Sequence, residues 1–185
     1  MRRSIVPMLV AASALSTPLA AQAMWSLGFA GTIGGGWQVE GVDLGIGHSI
    51  HAGPLRSMTV AARLGAFVDE GAIRGGVQGF VGGAVLAVRT GLARIGDVGN
   101  QTNPNAFGAD LTVEAVGYGG SNSPLPQGST WGAISVLPGL RLGDGRGIRA
   151  SLLVGPTVFV GKTTDVKPFL GFRVELPMRG RKRPR

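Results

Sequence analysis

His48, Ser49 and His51 are the residues of this chain that first suggest a reaction, because a hydroxyl beside a general base is what acyl hydrolysis requires. Their spacing argues against it. On an extended strand residues 48 and 49 point to opposite faces, and His51 falls beside the turn-forming Gly53-Pro54. The cluster is read as the polar end of a strand, and a barrel-wall lipid hydrolase using His48 and Ser49 is the enzymatic rival. Two histidines without a third ligand at a recognisable spacing make no zinc site. The absence of cysteine removes thiol chemistry and cysteine-bound metals. Gly161-Lys162-Thr163 has the letters that end a phosphate-binding loop, but that motif needs a glycine where Pro156 stands and a helix afterwards. It is read as a hairpin turn. Asn100-Gln101-Thr102 fits a glycosylation sequon and marks an exposed loop. No catalytic residue, no metal and no cofactor is expected.

The remaining chemistry lies in charges set at alternate positions. Phe107, Ala109, Leu111, Val113 and Ala115 are interleaved with Asp110, Thr112 and Glu114; Val166, Leu170, Phe172, Val174 and Leu176 are set against Lys167, Arg173 and Glu175. A period of two is the signature of β-strands with two chemically different faces. If the sheet closes, the apolar parity needs a solvent other than water, and Arg63, Asp110, Glu114, Arg141, Arg149, Lys167, Arg173 and Glu175 fall inside as a polar network of the lumen. An eight-stranded barrel is just wide enough to be filled by side chains, so these groups must pair with one another or with trapped water. The expectation is a plugged interior, with a ligand cleft as the alternative use of the same charges. Ala133, Ser135, Ser151 and Gly171 share the charged parity, and small residues suit a crowded lumen better than a wetted exterior.

The elements that must position these groups are all strands. Alternation and turn residues give nine segments, near 25–34, 37–50, 55–69, 74–88, 91–98, 107–118, 131–142, 147–160 and 165–176. A closed antiparallel bacterial barrel needs an even number. Eight strands are expected and ten are the next choice, with the surplus between Gly71 and Val98, where glycines blur the pattern. Several segments exceed the ~9–11 residues with which a tilted strand crosses a bilayer. Turn signals stand at Gly34-Gly35-Gly36, His51 to Pro54, Asp69 to Gly71, Gly143 to Gly145 and Gly161 to Thr164, and longer polar connections run from Gly99 to Asn105 and from Gly119 to Thr130. The 33 glycines have no collagen period and fit the bends of a small curved sheet.

Residues 1–23 read as a signal peptide: Arg2 and Arg3, an apolar stretch from Ile5 to Ala20 broken by Pro7 and Pro18, and Ala21-Gln22-Ala23 as the cleavage site. Residues 24–178 form a single barrel domain and 179–185 a basic disordered tail. The formal charge of +8 suggests nucleic acid, but its distribution excludes that partner: between Met24 and Met178 there are 11 basic and 10 acidic side chains. The tail, with Arg179, Arg181, Lys182, Arg183 and Arg185, is a solvated run that can touch anionic headgroups.

Signal peptide, alternating strands of membrane-crossing length, short turns and an alternating last strand together look like the small outer-membrane β-barrel proteins of Gram-negative bacteria. The resemblance implies an all-β, closed antiparallel transmembrane barrel in the outer membrane, with membrane lipid and the barrel-assembly machinery as partners. In that family the last strand ends in a glycine followed by alternating hydrophobics that the insertion machinery reads. Gly171, Val174 and Leu176 are similar to that signal, although this chain ends the strand on Leu176 where the family usually ends on an aromatic. Trp25, Trp37, Phe67, Tyr118, Trp131 and Phe159 are the candidates for interfacial aromatic belts. The expected role is structural or surface-interacting and non-enzymatic, and the sequence does not identify an extracellular or periplasmic partner. The runner-up is a secreted or periplasmic soluble β-barrel that turns its apolar face inward around a lipid-like ligand.

Overall fold

The computed structural model describes residues 22–34, 36–50, 54–69, 77–98, 105–120, 130–143, 147–161 and 163–178. They form eight antiparallel strands: β1 Gln22–Thr32, β2 Trp37–Ser49, β3 Leu55–Asp69, β4 Val77–Val98, β5 Asn105–Gly120, β6 Thr130–Leu142, β7 Arg149–Val160 and β8 Thr164–Pro177. Each pairs with the next and β8 pairs back to β1, so the sheet closes and no edge is left along the barrel wall.

The nine segments reduce to the expected eight strands because 77–88 and 91–98 belong to one strand, β4. Arg89 lies between those two segments, yet it pairs with Ser57 on one side and Thr112 on the other. Register shifts between Gly91 and Ala93 and between Arg94 and Gly96 absorb the glycines as irregularities within β4. The glycines bend this strand without ending it. Beyond Thr90, which faces Leu55, β4 pairs with β5 alone, so the β4–β5 hairpin overhangs the rim. Strand pairing also takes in Asn105, Gly119, Gly120 and Thr130, shortening both of the long connections. The turn between β1 and β2 runs through Gly34 at φ 126° and Gly36 at φ 88°, conformations that favour glycine.

Parity separates two environments along every strand. Leu27 and Phe29, Leu44 and Ile46, Leu64, Phe80, Ile134, Leu152, Val154 and Phe172 all point outward and are exposed. Among the described residues, the titratable side chains on the outer face of the wall are Glu40 and His48, with Arg56, Arg94 and Asp97 at the rim where β3 begins and β4 overhangs. Glu40 and His48 stand on the same face of β2, eight residues and ~27 Å apart at ~3.4 Å per residue. With a strand tilt of ~40° that spacing is about 20 Å along the barrel axis. Only Val42, Leu44 and Ile46 point outward between them.

Candidate functional site

The interior is built in layers, and each layer follows from which residue each strand turns inward at that height. At the rim holding the β1–β2 and β7–β8 turns it is aromatic. Trp37 packs edge-on against Phe159 at 4.8 Å and Phe67 at 6.5 Å; Trp131 stacks on Phe67 at 5.1 Å and on Tyr118 at 5.4 Å. The Lys167 ammonium lies 4.4 Å from the Trp37 ring centroid. This overturns the expected aromatic belts. Of the six candidates Trp25 faces outward, Trp37 is half-buried, and Phe67, Tyr118, Trp131 and Phe159 are buried inside the barrel. The cause is parity, because Phe67, Tyr118, Trp131 and Phe159 share their faces with Arg63, Glu114, Arg141 and Arg149.

The central layer is a closed ion network. Asp43 and Arg63 are direct cross-strand partners, and Arg63 donates from Nε and Nη2 to the two Asp43 oxygens at 2.6 and 2.8 Å. It also donates to the Tyr118 hydroxyl at 2.9 Å and to Glu114 Oε2 at 3.1 Å. Arg173 donates to the other Glu114 oxygen and stands 3.7 Å from Asp43. Two guanidinium groups thus face two carboxylates, with the hydrogen-bonding capacity of Arg63 nearly used up. Phe169, Leu137, Leu153 and Ala30 pack beside this network, and the Arg63 guanidinium lies 5.7 Å from the Phe169 ring centroid.

The third layer lies toward the rim where β1 begins and β8 ends. Arg149 donates to Glu175; Arg89 stands 3.4 Å from Asp110 and 3.5 Å from Glu175; Arg141 reaches Asp110 at 3.0 Å. Between this layer and the central network is a void of about 10 Å³ bordered by Thr59, Arg89, Thr112, Arg173 and Glu175, room for one water at most. Beyond the third layer the barrel opens into a mouth of about 430 Å³ lined by Arg56, Arg89, Arg94, Arg141 and Arg149 with Asp97 and Asp110.

Of the eight charged residues singled out in the sequence, Arg63, Asp110, Glu114, Arg149, Lys167, Arg173 and Glu175 are buried inside, and Arg141 is partly exposed at the mouth. Lys167 belongs to the aromatic rim and does not join the other seven. Sequence reasoning missed Asp43, Arg89 and the Tyr118 hydroxyl. Asp43 carries the inward parity of β2 opposite Val42 and Leu44, a signal that was there to read; Arg89 was hidden between two supposed segments. Ser49 is buried while His48 is exposed on the opposite face, so the two do not converge; His51 lies outside the described residues. Gly171 faces inward, where a Cβ would meet the Phe169 ring at 2.7 Å, whereas Leu176 and Val174 point outward. The sequon, the segment 1–21 and the tail 179–185 also lie outside the described residues.

No protein-family model matches this chain and no curated protein matches it. Among solved structures, it is similar to the crystal structure of Neisserial surface protein A (NspA), with a TM-score of 0.40 and 13% sequence identity over 85% of this chain and 96% of that one.

Proposed function

We propose that this chain is an outer-membrane β-barrel protein with a plugged interior, serving a structural or surface-interaction role without catalysis. The observation that carries the reading is the outer wall: all eight strands expose large apolar side chains, and between the rims the titratable groups described there are Glu40 and His48. In water such a continuous apolar surface would drive association; in a bilayer it is the surface that lipid requires. The filled interior supports the absence of a pore, because aromatic, ionic and mouth layers leave a void of about 10 Å³ between the two charged layers. The soluble, ligand-holding barrel finds less support, since its apolar parity would have to face the lumen, where Arg63, Glu114 and Arg173 stand.

Export by a cleaved signal, handling by barrel-assembly machinery and recognition of Gly171, Val174 and Leu176 as an insertion signal belong to the same reading, and membrane lipid is the partner it requires. The test is fractionation. The mature chain is expected to leave membranes only with detergent and to migrate differently before and after boiling; a monodisperse preparation in plain buffer refutes the location. Reconstituted in planar bilayers, it is expected to give no ion-conducting steps, and steady conductance refutes the plug. His48→Ala with Ser49→Ala is expected to leave the membrane lipid profile unchanged, and an altered profile would revive the hydrolase.

A further inference from the structure

The two charged layers of the lumen are not balanced alike. The central one sets Arg63 and Arg173 against Asp43 and Glu114 and is neutral. Among the described residues the layer at the mouth sets Arg89, Arg141 and Arg149 against Asp110 and Glu175, an excess of one positive charge, on groups that are almost wholly buried apart from Arg141. Arg94 and Asp97 pair with each other at the rim, and Arg56 adds a further cation that has no acidic partner among the described residues. An uncompensated charge away from water is costly unless a counter-charge reaches it.

Hydrogen bonding in this layer is incomplete as well: among the described residues both oxygens of Asp110 and two donors of Arg89 lack a partner. Arg89 is 5% exposed, and neither its Nε nor its Nη2 has a hydrogen-bond partner among the described residues. Arg149, besides its bond to Glu175, points Nη2 at the thioether sulfur of Met24 at 3.5 Å, a weak acceptor for a guanidinium. Arg141 spends one donor on the carbonyl of Gly143. Arg89 therefore keeps two buried donors unpartnered among the described residues, although both oxygens of Asp110 also lack a hydrogen bond, beside a cavity of about 430 Å³, within the range of small-ligand sites.

We infer that this mouth is a binding site for a phosphate-bearing anion, held by Arg141 and Arg56 at the entrance and by the charge of Arg89 and Arg149 beneath. Arginine forks match the paired oxygens of a phosphate, and an anion of one or two negative charges cancels the excess. The phosphate can come from a lipid headgroup at the membrane surface or from a soluble phosphorylated molecule in the compartment that this rim faces. Only the lipid source rests on the membrane reading above.

The experiment uses the full mature barrel in a phosphate-free maltoside detergent, titrated calorimetrically with inorganic pyrophosphate. Saturable binding of one anion per barrel is expected. It should weaken by about tenfold for each arginine removed in Arg141→Gln and Arg56→Gln, both of which sit at the accessible edge and leave the buried pairs of Arg89 and Arg149 in place. Repeating the titration with phosphatidylglycerol added to the micelles separates the sources: competition with pyrophosphate assigns the site to a lipid headgroup, and unchanged affinity assigns it to a soluble anion. Absence of saturable binding in the wild type, or equal binding in the double variant, overturns the site. Loss of the membrane reading shows instead as a barrel that needs no detergent, and leaves the pyrophosphate titration interpretable in buffer.

Discussion

Neutralising Glu114 is expected to unbalance the centre of the barrel. Its side chain is fully buried and holds Arg63 at 3.1 Å and Arg173 on its other oxygen. In Glu114→Gln the amide keeps an acceptor and the shape but loses the charge, so Arg63 and Arg173 face Asp43 alone. At an effective dielectric of ~20, each attraction at about 3 Å is worth about 5 kcal/mol. Part of that is returned because the carboxylate no longer has to be desolvated, and breaking a buried ion pair from one side costs a net ~3–5 kcal/mol. For an m-value of about 2 kcal/mol/M, a loss of about 4 kcal/mol lowers the urea midpoint by about 2 M. Trp37 and Trp131 report unfolding from inside the aromatic layer, so intrinsic fluorescence in urea and lipid vesicles is the assay. The double variant Glu114→Gln with Arg173→Met removes one charge of each sign and is expected to lose less than the sum of its parts, with a coupling of about 2 kcal/mol. A single variant within about 0.5 kcal/mol of wild type, the scatter of a surface change, or strictly additive losses in the cycle, would show that the layer is not an ion network.

Leu44→Arg places a charge on the outer face midway between Glu40 and His48; in vesicles it is expected to cost ~2–4 kcal/mol of folding free energy, measured by the same urea titration, whereas in a soluble barrel this exposed site would accept arginine with little effect. Gly65→Ala sets a Cβ 2.0 Å from the carbonyl oxygen of Glu40 and forces β2 and β3 apart; a loss of roughly 1–3 kcal/mol is expected from the urea midpoint. Tyr118→Phe deletes the hydroxyl that accepts from Arg63 Nη1 at 2.9 Å and leaves a buried charged donor unmet; about 1–3 kcal/mol is expected to be lost by the same measurement.

The wall of the barrel was legible because its rule is local. Seven of the eight strands carry an alternation that names its own faces, and closure follows once there are enough two-faced strands and no helix to cover them. The expected total of eight strands holds, but the continuity of β4 was not legible across residues 89–90, beside which Gly91 and Gly96 act as irregularities in an unbroken ladder. Such a site is decided by the neighbours: Ser57 and Thr112 hold Arg89 from both sides, and nothing within residues 88–91 reveals them. The aromatics failed for the opposite reason. Composition suggested belts, while parity already assigned Phe67 to the face of Arg63 and Tyr118 to the face of Glu114. Where a bulk expectation and a local periodicity disagree, the periodicity has the stronger physical warrant, since reversing it would turn a strand's whole charged set outward.

Which inward groups touch one another was legible only in part. Asp43 and Arg63 face each other across adjacent strands, so register alone brings them together. Glu114 and Arg63 meet across the lumen, a contact set by barrel radius and strand stagger, which the chain encodes collectively and at no single position. The same geometry explains why the charge excess sits where it does. In the central layer the ions are enclosed by the wall, and every guanidinium must be answered by a carboxylate of the same molecule. Toward the mouth the enclosure ends and Arg141 is 16% exposed, so a counter-ion can arrive from outside and the protein need not carry it. A fully enclosed layer with this excess would be unstable by several kcal/mol; at an opening the same excess becomes affinity for an anion, which is why the lumen's arginine-rich layer lies at its accessible end.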